Sequence, residues 1–395
     1  MNNNFKMVAK TLFGFEEILG KELRNLGAGH VVEGVRNVSF EGDTGFMYKA
    51  NLCLRTAIKV LKPIHSFSVR NENELYRKIY TMDWGDYLSV DTTFAIDTTV
   101  NSDHFTHSLY VSQKAKDAIV DKFRDTEGKR PSVDVKHPDV RLNIHIHKQQ
   151  CTISLDSSGR SLHQRGYRMA TNIAPINEVL AAGLLLLSGW DGQCDFLDPM
   201  CGSGTLLTEA AMIACNIPVN INRKEFAFEK WEDFDATLFE KIVNASLNKT
   251  REFHHKIIGY DKAPSAVRKA IANAESANLS EYITIERKNF FETAKPTDTH
   301  LHIVFNPPYG ERLDRRGLDS GFDVEAFYSD IGDTLKQEYP GTEAWFITSN
   351  LEALKYVGLR PSRKIKVFNS HLESRLVKYV MYEGSKKAKN NLVQE

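Results

Sequence analysis

A short apolar segment that enters a glycine-rich turn and then an apolar helix is the feature that most constrains the fold of this chain. Residues 194–197 are predicted to form a buried strand, residues 198–205 the turn, and residues 206–215 the helix. Gly202 and Gly204 allow positive φ angles and a close approach of the backbone to a ligand. A strand that leads through such a turn into a helix predicts an α/β fold with its ligand site at this strand end.

The chemistry of this turn predicts a ligand that carries both a carboxylate and an ammonium group. The helix N-terminus presents N–H groups to a carboxylate, and Asp198 at the strand tip can pair with an ammonium. No Gly-Lys-Ser/Thr follows, and the glycine spacing is not that of a dinucleotide fingerprint. The pattern favours the amino-acid part of S-adenosyl-L-methionine, and a purely structural glycine turn is the alternative. The candidate cofactor residues in this segment are Asp198, Cys201, Gly202, Gly204 and Thr205.

Two further predicted strands end in polar residues suited to the rest of the same cofactor. Residues 256–261 form a strand that ends in Asp261, which can accept hydrogen bonds from ribose hydroxyls or can cap the helix predicted over residues 265–277. Residues 283–287 form the next strand, and Asn289 and Phe290 follow it. We expect Asn289 to bond the adenine amino group and Phe290 to pack on the ring, although Phe290 fits a core position equally well.

A fourth strand, predicted over residues 301–305, leads into Asn306, Pro307, Pro308 and Tyr309. The amide oxygen of Asn306 and a backbone carbonyl of the Pro-Pro segment can accept both protons of an exocyclic amino group. The prolines stiffen the turn, and Tyr309 can stack on the base that carries the amine. These residues are the predicted catalytic set for methyl transfer to an aromatic amine. A rigid polar turn without catalytic function is the alternative.

Together these motifs, in this order, resemble the class I methyltransferases that methylate amino groups with S-adenosylmethionine. Residues 165–168 (Arg-Gly-Tyr-Arg), 174–178 and 306–313 further resemble the THUMP-domain RNA guanine-N2 methyltransferases, and residues 7–16 resemble the start of that family. The resemblance implies a Rossmann-like α/β domain with a mostly parallel seven-stranded sheet, preceded by α+β ferredoxin-like and THUMP domains. One departure is Asn289, which stands where aspartate is common. The second methyltransferase domain of some long members is not expected here.

The resemblance and the predicted elements together suggest four segments. They are a ferredoxin-like domain over residues 1–65, a THUMP domain over 66–160, a methyltransferase domain over 161–384 and a basic tail over 385–395. An aromatic-rich insertion over residues 217–254 is assigned to the methyltransferase domain. Its aromatic side chains are expected either in a core or on the side that faces RNA.

Charge distribution suggests which part of the chain meets a polyanion. The whole chain has a formal net charge of zero, but residues 104–170 hold 12 lysines and arginines against 7 acidic residues. Such an asymmetry favours RNA binding by this region, whereas a chance imbalance on a solvated face is the alternative. The residues predicted to contact RNA are Lys114, Lys116, Lys129, Arg130, Arg165 and Arg168.

Composition excludes several other classes of protein. Hydrophobic residues make up 42% and charged residues 26% of the chain, as in ordinary globular proteins. No apolar run is long enough to span a membrane, and no leader pattern opens the chain, so a cytoplasmic location without membrane contact is expected. The five cysteines have no metal-ligand or disulfide spacing, so no metal site is expected. The oligomeric state does not follow from the sequence.

The motifs alone predict methyl transfer to the exocyclic amine of a base. The resemblance implies that the amine is N2 of a guanine in large-subunit (23S) ribosomal RNA. Three alternatives stay open: a transfer RNA guanine-N2 methyltransferase, an adenine-N6 nucleic-acid methylase, and a non-catalytic RNA-binding assembly factor.

Overall fold

A computed structural model describes residues 4–169, 176–308 and 323–383. The chain divides into two compact units, each with its own sheet. The N-terminal unit comprises the residues up to Thr11, Leu19–Leu162 and Arg223–Ala245, and the C-terminal unit comprises Leu12–Ile18, His163–Asn222 and the residues from Ser246 onward.

The strands and helices are numbered here in chain order. The strands are β1 (Phe5–Thr11), β2 (Gly29–Glu33), β3 (Asn37–Gly42), β4 (Ala57–Ser68), β5 (Thr93–Asn101), β6 (Ser132–Val133), β7 (Val140–His147), β8 (Gln150–Asp156), β9 (Asp195–Asp198), β10 (Ile257–Asp261), β11 (Ile283–Arg287), β12 (Leu301–Phe305), β13 (Glu343–Thr348), β14 (Arg363–Asn369) and β15 (Leu372–Val380). The α-helices are α1 (Glu16–Leu26), α2 (Thr44–Cys53), α3 (Glu72–Tyr80), α4 (Ser108–Glu127), α5 (Glu178–Ser188), α6 (Thr205–Ala214), α7 (Ala236–Leu247), α8 (Pro264–Ser276) and α9 (Val324–Glu338). Short 3-10 helices span Ala227–Lys230, Phe290–Glu292 and Ala353–Lys355.

The N-terminal unit is built on an eight-stranded sheet of order β2-β3-β1-β4-β8-β7-β5-β6. The long strand β4 holds this sheet together, because β1 pairs with its first part and β8 pairs with the part from Leu61 to Ser68. The ladder to β8 shifts register between Pro63 and His65, as expected where proline offers no N–H to a neighbouring strand. The predicted ferredoxin-like and THUMP segments therefore share one continuous sheet.

The aromatic insertion packs in the core of the N-terminal unit. Phe226 and Phe228 are buried, and the Phe228 ring stacks on Tyr48 with centroids 4.4 Å apart. The phenol oxygen of Tyr48 accepts a hydrogen bond from the backbone N–H of Asp235. The interpretation of these aromatic side chains as core residues is therefore correct. Residues 223–245 lie in the N-terminal unit, although the sequence assigned the whole insertion to the methyltransferase domain.

The C-terminal unit contains a seven-stranded sheet of order β11-β10-β9-β12-β13-β15-β14. Strands β9 to β13 are mutually parallel, whereas β15 is antiparallel to both β13 and β14. This confirms the predicted, mostly parallel seven-stranded sheet. The strand order reverses direction between β9 and β12, and such a switch point is where open α/β sheets bind ligands.

Burial on both faces explains why the central strands of this sheet read as continuous apolar runs. Every residue of β9 and β12 is buried. Helix α6 lies so close to β10 that a Cβ added to Gly259 would stand 2.3 Å from Leu207 Cδ1. Glycine at this position therefore lets the helix that follows the glycine turn pack directly on the sheet.

Candidate cofactor and catalytic site

Asp198 ends strand β9 at the switch point of the sheet and is almost completely buried, at 2% exposure. Its Oδ1 accepts a hydrogen bond from the backbone N–H of Met200 at 3.1 Å. Burial raises the pKa of this carboxyl well above its ordinary value, and the neighbouring Asp261 carboxylate raises it further. A carboxylate held in such a place is stabilised by a cationic group, so the site fits the ammonium of an amino acid.

The glycine turn has the backbone geometry that its sequence predicts. Gly202 and Gly204 have φ angles of +57° and +78°. A Cβ on Gly204 would lie 3.1 Å from the Cβ of Ala270, so a side chain at this position would press against helix α8. The turn thus delivers the chain into α6, which begins at Thr205, with its first N–H groups at the same sheet edge as Asp198.

Cys201 takes a structural position within this turn. Its backbone N–H donates to the carbonyl of Tyr260 at 2.8 Å, which ties the turn to β10. The thiol is buried, and burial raises its pKa well above the ordinary value. A protonated, buried thiol contributes packing, so we propose a backbone contribution to the cofactor site for Cys201.

Asp261 ends strand β10 and binds two backbone N–H groups. Its Oδ2 accepts from Gly202 at 3.0 Å, and its Oδ1 accepts from Ala263 at 2.8 Å. The second bond goes to Ala263, the residue just before helix α8, and within that helix, which the structure describes in full, Asp261 binds no N–H group, so the alternative that it merely caps the helix is not supported. Each carboxylate oxygen has a further lone pair that can accept from a ribose hydroxyl.

Arg168, predicted to bind RNA, instead connects the starts of two helices beside the glycine turn. Its Nη2 donates to the carbonyl of Ile176 and to Oγ1 of Thr205, both at 3.0 Å. Its Nε lies 3.0 Å from Oε1 of Glu178, the first residue of α5. Burial raises the pKa of Glu178 to about 7, and the Arg168 charge partly opposes that increase. We therefore reassign Arg168 from RNA binding to support of the glycine turn.

Arg165, also predicted to bind RNA, is fully buried in the C-terminal unit. Its side chain and that of Glu209 are both 0% exposed, and Arg165 Nε lies 3.3 Å from Glu209 Oε1. The same Glu209 oxygen accepts from the Tyr167 hydroxyl, and Arg165 Nη1 donates to Asn220 Oδ1. A guanidinium enclosed in this way has no surface for an RNA phosphate, so this expectation is corrected.

Asn273 is a site residue that sequence reasoning missed. It is buried on α8, its Nδ2 donates to the carbonyl of Ser203, and its Oδ1 accepts from the backbone N–H of Met169. Asn273 therefore connects helix α8 to Ser203 in the middle of the glycine turn. The available signal was an asparagine on the same helical face as Ala270 and Ala274, where an apolar residue is expected.

Asn289 and Phe290 follow β11, but only Asn289 has a side chain that is accessible to a ligand. Asn289 is partly exposed, and its Nδ2 donates to Glu292 Oε1 at 2.8 Å. Phe290 is 2% exposed, and its ring packs against Phe305 and Tyr339. So little surface is left on Phe290 that we assign it to the core, which corrects its predicted stacking on adenine.

Asn306 and Pro307 lie at the end of β12, the neighbour of β9 in the sheet. The register pairs Ile303 with Leu197, so Asn306 stands three residues beyond this pair at the edge that also carries Asp198. Pro307 is buried and Pro308 is exposed. Tyr309 and the rest of the extended motif to residue 313 lie outside the described residues, as do residues 174–175 and the tail 385–395.

The four predicted RNA-binding cations of the N-terminal unit differ in the contacts that their side chains make. Lys114 Nζ lies over the Tyr76 ring, 5.2 Å from its centroid, and Lys116 pairs with Asp117 at 2.8 Å. Lys129 and Arg130 are exposed in the segment after α4. Five basic residues that the sequence did not single out line one cavity, although they come from segments distant in the chain. They are Lys136, His137, Arg141, Arg160 and Lys230.

Two other expectations concern metals and membranes. Among the residues that the structure describes, no cluster of three or more His, Cys, Asp or Glu side chains is placed to hold a metal ion. In the same residues, no helix combines the length and apolar character needed to cross a bilayer. All five cysteines are free thiols.

Comparison with known proteins agrees with this architecture. Residues 165–378 match the RMKL-like methyltransferase domain, residues 69–156 the THUMP domain, and residues 6–61 the RlmL ferredoxin-like domain. The slr0064 protein of Synechocystis sp., which carries the name of an RNA methyltransferase, is 36% identical over 93% of this chain and 95% of its own length.

Two further relatives define the extent of the similarity. The ribosomal RNA large subunit methyltransferase K/L of Syntrophotalea carbinolica is 35% identical over 97% of this chain, which spans 54% of that relative. The crystal structure of SMU.472, which carries the name of a methyltransferase and is complexed with SAH, superposes with a TM-score of 0.85 at 29% identity over 98% of this chain and 100% of its own. With its matched domains and these relatives, the chain belongs to the family of RMKL-like methyltransferases that carry ferredoxin-like and THUMP domains.

Proposed function

We propose that this chain is an S-adenosylmethionine-dependent RNA methyltransferase that modifies the exocyclic N2 of a guanine in large-subunit (23S) ribosomal RNA. The supporting observation is that Asn306 and Pro307 follow β12 at the switch point, beside the strand that ends in Asp198. An amide oxygen and a backbone carbonyl at that point can accept both protons of an amino group. The names of the K/L relatives suggest the RNA, and the family resemblance suggests guanine.

The residues of the C-terminal unit fit the cofactor part by part. Asp198 faces the ammonium group, the N-terminus of α6 faces the carboxylate, and Asp261 accepts from the ribose hydroxyls. Asn289 lies at the adenine end. When bound, S-adenosylmethionine supplies an electrophilic methyl group on a positively charged sulfur.

Catalysis by this chain consists mainly of orienting the target amine. Asn306 and the carbonyl of Pro307 accept its two protons and draw its lone pair out of conjugation with the ring. Because Pro307 and Pro308 restrict the backbone, these acceptors are placed before the base arrives. The acceptors bind the amine most strongly as it becomes tetrahedral, which stabilises the transition state over the bound substrate.

Capture of RNA requires a flipped base and contacts to phosphates. We assign stacking of the flipped base to Tyr309 and phosphate contacts to Lys114, Lys116, Lys129 and Arg130 of the N-terminal unit. The proposal includes the domain boundaries, which are 1–65 for the ferredoxin-like domain, 66–160 for the THUMP domain and 161–384 for the methyltransferase domain. Residues 223–245 are the exception, because they belong to the N-terminal unit.

The decisive experiment uses RNA from a strain that lacks this gene. Ribosomal and transfer RNA are incubated separately with the purified chain and S-adenosylmethionine carrying a deuterated methyl group, then digested and analysed by mass spectrometry. Deuterated N2-methylguanosine from 23S RNA supports the proposal, and the Asn306→Ala variant is the matched control. Label in transfer RNA or on adenine N6 would establish one of the alternative enzymes. Cofactor binding without label in any RNA would favour the assembly factor.

A further inference from the structure

Asn289 and Glu292 form a short hydrogen-bonded turn just after β11, the strand that pairs with β10. The backbone N–H of Lys288 donates to the carbonyl of Asp261 at 3.2 Å, so Asn289 follows directly on the contact between β11 and β10. The backbone N–H of Glu292 donates to the carbonyl of Asn289 at 2.9 Å. Both residues line a cavity of about 570 Å³, together with Lys262, the residue after Asp261.

The side-chain bond within this turn determines which way the Asn289 amide faces. Nδ2 of Asn289 lies 2.8 Å from Oε1 of Glu292. The carboxylate oxygen accepts this hydrogen bond, so the NH₂ group of the amide faces Glu292. The carbonyl oxygen Oδ1 is then directed away from Glu292 and is available to accept a hydrogen bond.

The same bond explains why asparagine suits this position better than aspartate. An aspartate here would set two carboxylates against each other across a distance of one hydrogen bond, which is unfavourable. Asparagine removes that repulsion, and Glu292 then fixes the amide so that it presents an oxygen, as aspartate would. The two residues together therefore reproduce the acceptor of a single carboxylate.

We propose that Glu292 is a positioning residue that makes Asn289 an obligate acceptor and so selects a 6-amino purine over a 6-oxo purine at the adenine end of the cofactor site. The proposal rests on the assignment of Asn289 to that site. It predicts discrimination between S-adenosylhomocysteine, whose 6-amino group donates, and S-inosylhomocysteine, whose 6-oxo group accepts. With S-inosylhomocysteine, the 6-oxo group of the ligand and Oδ1 of Asn289 would be two acceptors that face each other.

The test compares the affinities of these two ligands by calorimetry in the full chain and its variants. The parent should prefer S-adenosylhomocysteine by roughly tenfold or more, because S-inosylhomocysteine would leave two acceptors facing each other without a hydrogen bond. In Glu292→Gln the neighbour can donate or accept, the Asn289 amide can turn over, and the preference should fall several-fold towards equality. The Asn289→Asp substitution in the Glu292→Gln background restores a fixed acceptor and should restore the preference.

Matched variants separate this positioning effect from loss of structure. Glu286→Gln removes another acid at the end of β11, one that pairs with Lys288 at 3.0 Å, and should leave the ligand preference unchanged. Full preference retained in Glu292→Gln would overturn the proposal, as would failure of the double variant to regain it. If Asn289→Ala changed neither affinity, the placement of Asn289 at the adenine end would be wrong, while affinity of the parent for S-adenosylhomocysteine would still support the cofactor site as a whole.

Discussion

The backbone N–H of Gly202 donates to Oδ2 of Asp261 across 3.0 Å, so the glycine turn and the second strand end are joined by one hydrogen bond. In the proposed function, the turn contacts the amino-acid part of the cofactor and Asp261 contacts the ribose. Because Oδ1 of Asp261 also accepts from Ala263, the carboxylate fixes two backbone segments while keeping lone pairs for a ligand. Asp261 therefore fixes the backbone around the turn and, in the proposed function, also binds the ribose.

Replacement of Asp261 should test this double role. We expect Asp261→Ala to weaken binding of S-adenosylhomocysteine by roughly 1–3 kcal/mol, because the ribose acceptors and the anchor of Gly202 are lost together. Asp261→Asn keeps one acceptor oxygen and should lose less. Calorimetry without RNA measures both values, with the exposed Glu281→Gln as the control. Equal affinity in Asp261→Ala and the parent would remove Asp261 from the site.

Arg165 should prove to be a residue of folding stability. Arg165→Ala leaves the buried Glu209 without its cation, and breaking such a pair costs about 3–5 kcal/mol. Adding Glu209→Gln removes the unpaired charge and should recover part of the lost stability. The free energies of unfolding in urea should then show that the effects of the two substitutions are not additive. If Arg165→Ala instead folded normally and lost RNA affinity, the original RNA-binding prediction would be right.

Glu178 should make stability depend on pH within a defined window. Its folded pKa of about 7 lies above the ordinary 4.5, so between these values the folded chain binds more protons than the unfolded chain. The free energy of unfolding contributed by this group is then highest below about pH 4.5 and falls as the pH rises to about 7. Glu178→Gln should flatten this part of the profile. Unfolding experiments from pH 5 to 8 on both proteins give the difference, and identical slopes would contradict the prediction.

Much of the C-terminal unit could be predicted because its central strands are buried on both faces and its site residues lie at strand ends. Strands β11 and β12 were predicted with the observed bounds, and β10 differs by one residue. Such strands appear in a sequence as continuous apolar runs, and the polar residue after each run marks the ligand edge of the sheet. The local pattern therefore contains both the strand and its functional end.

The errors arose where a residue's partner is distant in the chain. The sequence shows two arginines around Gly166, but not that Glu209, 44 residues after Arg165, encloses one of them. Nor does it show that residues 223–245 complete a core around Tyr48 in the other unit. Phe290 could belong to the core or the site, and only the packing against Phe305 and Tyr339 decides between them.

RNA binding should depend on the cations of the N-terminal unit to which phosphate contacts are assigned, and not on Arg165. We expect charge reversal of Lys129 with Arg130, or of Lys114 with Lys116, to weaken RNA binding and reduce its salt dependence, because phosphate contacts release counterions. Cofactor affinity should stay unchanged. Reversal of the exposed Lys241 with Lys249 gives the same change in net charge and serves as the control. Unchanged salt slopes in both test variants would place the RNA surface elsewhere.

Asn306 and Tyr309 are proposed to act at different stages of the reaction, so their replacement should have different effects. Tyr309→Ala should impair capture of the flipped base, because stacking on an aromatic ring is worth about 1–3 kcal/mol per base. Tyr309→Phe keeps the ring and should be mild. Both effects would appear in the RNA concentration that is needed for half-maximal rate.

Asn306→Ala should instead lower the single-turnover rate with little change in the binding of RNA or cofactor. Its amide oxygen gains most as the amine becomes tetrahedral, so its removal affects the transition state more than the bound substrate. Asn306→Asp retains an acceptor and should keep more activity than Asn306→Ala. Rapid-quench measurement with saturating enzyme separates the chemical step from binding. A normal single-turnover rate in Asn306→Ala would mean that the residues after β12 form a rigid turn without catalytic function, which is the alternative that their sequence also allows.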